Sequence, residues 1–174
     1  MRTILTVIAV IASVVTATSP ALAVDAVAPT VELLSAYRAK HGVAALSLDS
    51  EVSRTAQEWA DHLHETGSFE HRPDNAYGEN LFWTSARTGP IEKIAMNALD
   101  NWYDESHGYD YSREMTPENV DYDVLHFTAM VWRSSDRVGV GLRQGRNGTY
   151  VVLNFAQRGN VLNHFVANVL PPVG

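Results

Sequence analysis

The sequence predicts an α+β domain, and three observations carry that prediction. Apolar residues recur at helical spacing in three stretches, near Val31–Tyr37, Val52–Leu63 and Ile94–Trp102. Two strand-like runs, Arg137–Arg143 and Tyr150–Ala156, follow late in the chain around a glycine-containing connection. The helical stretches stand before and between strands that would pair as neighbours, rather than alternating with them in the βαβ manner. With 174 residues, 45% of them hydrophobic, the chain can bury one substantial core.

The first 23 residues are set apart from that core. Met1-Arg2 is a short basic start, Ile4–Val15 is an apolar run broken by Thr6 and Ser13, and Pro20-Ala21-Leu22-Ala23 supplies a breaker and an Ala-x-Ala site. This pattern is that of a secretory signal peptide cleaved after Ala23, and the run is shorter than the ~20 apolar residues that span a bilayer. Extracellular localisation and the absence of a transmembrane segment are therefore expected. Cleavage takes away Arg2, the only charge before Val24, and moves the net charge from −7 to −8. Such an acidic chain is a poor match for nucleic acid. The cysteine count is zero, which excludes thiol nucleophiles, thiolate metal sites and disulfide staples.

Residues 24–29 read as a short linker, and residues 30–174 as a single domain. Thr30 is the expected N-cap of a first helix that closes at Lys40-His41-Gly42, where Gly42 can take the left-handed cap. Leu46–Leu48 is a short extended piece. Asp49 or Ser50 then caps a second helix that carries the stripe Val52–Leu63 and ends at Gly67. His62 and His64 lie on this helix and are expected at the solvent or at the rim of the stripe. A loop with His71 leads into the strand Tyr77–Thr84, with Glu79 near its start. A third helix spans about Ile91–Ser106, and the polar, aromatic stretch Tyr109–Leu125 is the longest loop. His126–Trp132 reads as a short buried helix that opens on a titratable side chain, a conflict of levels that tends to mark function. The strand pair after it should form a β-hairpin across Gly145–Thr149, and Asn160–Leu170 is irregular. Asn147-Gly148-Thr149, the one sequon, is either a glycan acceptor at Asn147 or simply a good hairpin turn.

Four side chains could carry chemistry. His71, Glu79, Glu105 and His126 each stand at the end of an otherwise apolar element, so folding could bring them into one cleft. Two neutral imidazoles with a carboxylate and water suit a divalent metal, zinc above others, and a second carboxylate can orient a histidine or act as a base. The competing reading is that each histidine is an ordinary core or rim residue, because the spacing matches no local metal motif. No Gly-x-Ser-x-Gly elbow is present to support a serine nucleophile.

Five stretches taken together resemble the CAP superfamily, the group of cysteine-rich secretory proteins, antigen 5 and plant pathogenesis-related class 1 proteins that share the SCP domain. They are Leu33–Gly42, Tyr77-Gly78-Glu79-Asn80-Leu81, Trp102-Tyr103-Asp104-Glu105, His126–Ser135 and Tyr150–Asn160, in the family's order. The end, Gly159–Pro172, is similar to the cysteine-poor Golgi-associated branch, although a signal peptide is foreign to that branch. The resemblance implies a three-layer α-β-α sandwich with a central, mainly antiparallel sheet. It implies a cleft tetrad of His71, Glu79, Glu105 and His126, with His71 and His126 holding a divalent metal such as zinc. It also implies binding of a small hydrophobic ligand, a sterol at an aromatic loop that falls on Tyr103, Tyr109 and Tyr111, or a fatty acid in a separate groove. Against this stands the reading in which those tyrosines only pack and cover the cleft. The resulting expectation is a secreted binding protein, non-enzymatic on balance. The alternatives are a metal-dependent hydrolase with Glu79 or Glu105 as base, and an extracellular defence or virulence module that meets a protein receptor.

Overall fold

The element that sets the architecture is α2, Ser50–Thr66, because the sheet is shaped to receive it. Asp49 caps its start, Oδ1 accepting from the N–H groups of Glu51 and Val52, and Gly67 ends it in the left-handed conformation at φ 73°. Its buried stripe includes Val52, Ala56, Trp59, Ala60 and Leu63. Opposite lies β3, Arg137–Gly145, where Gly139 and Gly141 take the place of side chains. A Cβ on Gly139 would sit 2.2 Å from the Val52 carbonyl carbon, and one on Gly141 would sit 2.3 Å from that of Ala56. The helix therefore rests directly on the strand backbone. The alternation of Val138, Val140 and Leu142 with glycines is the sequence record of that approach.

The structure, a computed structural model, describes residues 20–174, with side chains from Asp25 onward. Helix α1 spans Pro20–Lys40, β1 Ser47–Leu48, β2 Gly78–Thr84, α3 Ile91–Asp104, α4 Leu125–Val131, β4 Gly148–Ala156 and α5 Phe165–Asn168. The four strands lie in the order β1-β3-β4-β2. The β1–β3 pair is parallel, and the β3–β4 and β4–β2 pairs are antiparallel, with Val140 opposite Leu153 and Glu79 opposite Asn154. One face, with Leu81, Tyr150 and Val152, meets α2. The other, with Val138, Val140, Leu153 and Phe155, meets the core shared by α1, α3 and α4, including Leu34, Leu99, Phe127 and Met130. The result is the expected α-β-α sandwich. No helix among the described residues is long and apolar enough to cross a membrane.

Several local expectations are corrected. The segment 24–29 is helical, not a linker, because α1 begins ten residues before Thr30 and carries Pro29 inside it. Thr30 is buried mid-helix, its hydroxyl donating to the Ala26 carbonyl at 2.7 Å, and it caps nothing. The proline misled because it is usually a boundary. Most of the expected signal peptide, residues 1–19, lies outside the described residues. His64 is buried rather than at the rim, while His62 stacks on Trp59. The hairpin strands run longer than expected and turn through Arg146-Asn147 alone, paired up to Gly145–Gly148.

One buried cation fixes α1 to the rest. Arg38 has no exposed surface and donates to the carbonyls of Ala44, Met130, Trp132 and Ser135, which bundles the end of α4 against α1. Burial lowers its pKa to about 10, so it stays charged at neutral pH and its cost is met by those four acceptors.

Candidate functional site

Beside the edge strand β2 lies a cleft of about 420 Å³ lined by His71, Glu79 and His126 among others. Its histidines reach it from opposite sides of the sheet. His71 sits on the loop after α2. His126 is the second residue of α4, in the layer on the other face.

Each ring is held by its own carboxylate. His71 Nδ1 lies 2.7 Å from Glu79 Oε1, and His126 Nδ1 lies 2.7 Å from Glu105 Oε1. A carboxylate only accepts, so in the neutral ring the proton sits on Nδ1 and the lone pair on Nε2. No hydrogen bond engages Nε2 of either ring among the described residues. The carboxylates are in turn fixed. Glu79 also accepts from the Arg72 N–H at 3.0 Å and from Asn75 Nδ2 at 3.0 Å. Glu105 Oε2 accepts from the N–H groups of His126 and Phe127, both at 3.0 Å, and so closes the first turn of α4. Its own position, in the short 3₁₀ turn Glu105–Gly108 after α3, makes that reach available. Trp102 stacks on the His126 ring at 5.9 Å. The bond to Glu79 raises the His71 pKa above its ordinary value, with burial opposing in part.

Of the four expected cleft residues, three line the cavity. Glu105 does not; it stands behind His126. No three His, Asp or Glu side chains among the described residues converge closely enough to cage an ion. What the arrangement offers a cation is therefore two imidazole nitrogens, each with a carboxylate on its far side, in a cleft with space for water or a ligand to complete the shell. A carboxylate behind each ring is the arrangement that orients ligating histidines in zinc sites, and two nitrogens are fewer than the three protein ligands usual there.

Residue-by-residue reading of the sequence passed over the polar residues that shape the walls. Asn80 Nδ2 donates to the His126 carbonyl at 3.0 Å, tying β2 to α4 across the cleft floor. Asn160 stands in a left-handed conformation at φ 56°. It donates to the Leu125 carbonyl and accepts from the Thr128 hydroxyl, and so holds the first turn of α4 beside the Asn80 contact. Arg158 lines the same cleft. Asn80 and Asn154, fully buried polar residues inside strands, were the available signal.

The expected ligand-binding tyrosines are packed together. Tyr103 stacks on Tyr37 at 3.9 Å, and its hydroxyl meets Nε2 of the buried His41 at 3.1 Å. Tyr109 is buried, and both Tyr109 and Tyr111 lie edge-on to Phe127. Burial holds the Tyr109 phenol well above its usual range. The cavity beside Tyr109 is about 40 Å³. Asn147 sits in the hairpin turn, and its Nδ2, the atom a glycan would use, donates to the His64 carbonyl at 2.7 Å.

Comparison with known proteins agrees with the geometry. A profile of the family described as CAP, the cysteine-rich secretory protein family, matches residues 31–155. Golgi-associated plant pathogenesis-related protein 1 of Homo sapiens is 34% identical over 142 residues, which is 78% of this chain and 86% of that protein. Protein PRY2 of Saccharomyces cerevisiae is 33% identical over 128 residues, covering 72% of this chain but 35% of the yeast protein. Cysteine-rich secretory protein 3 of Equus caballus is 34% identical over 122 residues, 66% of this chain and 47% of the horse protein. The chain thus spans less than two-thirds of the latter two. Among solved structures, Na-ASP-1 superposes with a TM-score of 0.73 at 18% identity, covering 84% of this chain and 42% of that one. NaASP2, solved with Zn2+, superposes with a TM-score of 0.71 at 22% identity, covering 86% of each chain, and both share the fold. A sandwich of this topology, matched by the family profile over most of the domain and by a relative along nearly its whole length, identifies the chain as a member of the CAP family.

Proposed function

We propose that this CAP domain acts outside the cell as a binding protein rather than an enzyme, and that its cleft takes a divalent cation through His71 and His126. The observation that carries this reading is the pairing of each ring's Nδ1 with a carboxylate, which leaves both Nε2 atoms to a ligand on one cavity. Glu79 and Glu105 would then raise the basicity of the two rings and hold their orientation. A bound zinc ion would supply a Lewis-acidic anchor for an oxygen of a ligand lying in the cleft. Secretion is supported by the basic start, apolar run and Ala-x-Ala site of residues 1–23.

The hydrolase reading is less well supported. A general base needs an oxygen free to take a proton from water. Each carboxylate instead already accepts three hydrogen bonds, from a ring nitrogen and from further N–H donors. A sterol at Tyr103, Tyr109 and Tyr111 also asks for more rearrangement than a cation does. The cavity beside Tyr109, which neither Tyr103 nor Tyr111 lines, is about 40 Å³, far below the ~300–1,000 Å³ of small-molecule sites, so Tyr109 would have to part from Phe127 to admit one.

Calorimetric titration of zinc into wild type, His71→Ala and His126→Ala tests the cation reading. Wild type is expected to give saturable heat, and each variant to bind at least tenfold more weakly. Equal heats in all three proteins would overturn it.

A further inference from the structure

We propose that the recess beyond the C-terminal end of α2 binds a small aromatic anion, a carboxylate or sulfonate carried on a flat ring system. The recess measures about 470 Å³ and shares no residue with the histidine cleft. It exists because α2 is shorter than the sheet it covers. The helix stops at Gly67 and the chain turns away, while β2 and β4 continue to Trp83 and Tyr150, which pair in register. Trp83 is left 46% exposed and Phe69 58% exposed on the walls of one cavity. Large aromatic side chains left uncovered in one cavity are costly in water and are the usual platform for a flat ligand.

The polar lining selects the ligand's charge. Arg87, after β2, and Arg146, in the β3–β4 turn, both face the recess, and no Asp or Glu lines it. Neither guanidinium is in an ion pair or hydrogen bond among the described residues. A patch with two unpaired arginines and no carboxylate, on a chain of net charge −7, is locally complementary to an anion. Guanidinium forks match the planar oxygens of a carboxylate or sulfonate and also stack on aromatic rings.

The walls are already set. Trp83 Nε1 donates to the Asn147 carbonyl at 3.0 Å, and Asn147 Nδ2 donates to the His64 carbonyl at 2.7 Å. Thr149 Oγ1 donates to the Ala86 carbonyl at 2.6 Å, which pins the loop that carries Arg87. Gly148, at φ 100°, lets the turn come close: a Cβ there would be 2.3 Å from the Thr84 carbonyl oxygen. A ligand would thus meet a preformed site and spend little on ordering it.

The test uses the full chain in the presence of a chelator, with naphthalene-2-sulfonate as probe and 2-naphthol as its neutral partner. A sulfonate is a poor metal ligand, so any binding is separable from the cation cleft. Calorimetry should show saturable binding of the sulfonate and at least tenfold weaker binding of the naphthol. The Trp83 indole N–H signal, assigned with Trp83→Phe, should shift on titration. The double variant Arg87→Gln/Arg146→Gln should bind at least tenfold more weakly with an unchanged melting temperature, because both side chains are exposed. Affinity should be unaltered in His71→Ala. Absence of saturable heat at millimolar sulfonate, equal affinity for the two probes, wild-type affinity in the double variant, or loss of binding in His71→Ala would each overturn the proposal.

Discussion

The two histidine–glutamate pairs look alike at the hydrogen bond and differ in everything behind it. In the first, the His71 side chain is 67% exposed and its partner Glu79 is 4% exposed. The carboxylate is the fixed part, seated on an edge strand, and it gathers a loop by accepting from His71, Arg72 and Asn75. In the second, the His126 side chain is 37% exposed and Glu105 is 19% exposed. There the ring is the fixed part, stacked on Trp102 at the start of a buried helix, and the carboxylate reaches to it from the end of another element. One pair organises a loop, and the other joins two core helices. A loop can resolvate when its carboxylate is lost, whereas the N–H of the fully buried Phe127 cannot.

The largest effect expected from that asymmetry is on Glu105→Ala. It strips two backbone N–H groups of α4 and His126 Nδ1 of their acceptor. Hydrogen bonds to charged groups contribute about 1.5–3 kcal/mol each and add incompletely, so urea denaturation should show a loss of about 3 kcal/mol. Glu79→Ala comes next, with a loss of about 2 kcal/mol despite the deeper burial of its carboxylate. Its signature should be local: amide exchange should accelerate between Arg72 and Tyr77 and leave α4 protected. Equal losses in the two variants, or global opening in Glu79→Ala, would break the contrast.

The smallest effect is the pH dependence of His71. The Glu79 bond raises its folded pKa above the ordinary 6.5, so the folded state binds the proton more tightly than the unfolded chain does. The stabilisation is therefore fully present below pH 6.5 and is lost as pH rises through the higher folded value. Because the ring is mostly exposed, the amplitude is small and is best read by NMR titration of the His71 Cε1–H. Glu79→Gln should lower that titration point. An unchanged value would show that Glu79 does not hold the ring in solution.

Much of this was legible in the chain. Asp49 and Gly67 bound α2 because a cap acceptor and a left-handed glycine act locally. His126 stood out because a titratable residue opens a run with no charge in it. Pro29 misplaced the start of α1, since a proline within a helix is tolerated only where packing compensates, and Ala26 is indeed in the core. His64 was misjudged because burial there depends on the β-hairpin, whose Asn147 lies 83 residues further on. Arg38 gave no hint of complete burial, because its four acceptors come from carbonyls that sequence does not distinguish.

Periodicity, caps and turns determined α2, the core of the later strands, the α+β class and the four side chains worth watching, but not the start of α1 or the short α5. They did so because each depends on residues within a turn or two of one another. The tertiary structure alone decided which carboxylate serves which histidine, and that Glu105 supports His126 from behind. It also decided that Tyr103, Tyr109 and Tyr111 close around His41 and Phe127, and that α2 ends short of Trp83. Most of those facts rest on contacts far apart in the chain, 21 residues between Glu105 and His126 and 62 between His41 and Tyr103. A sequence states which face of an element is apolar, but not which distant polar group will lie against it.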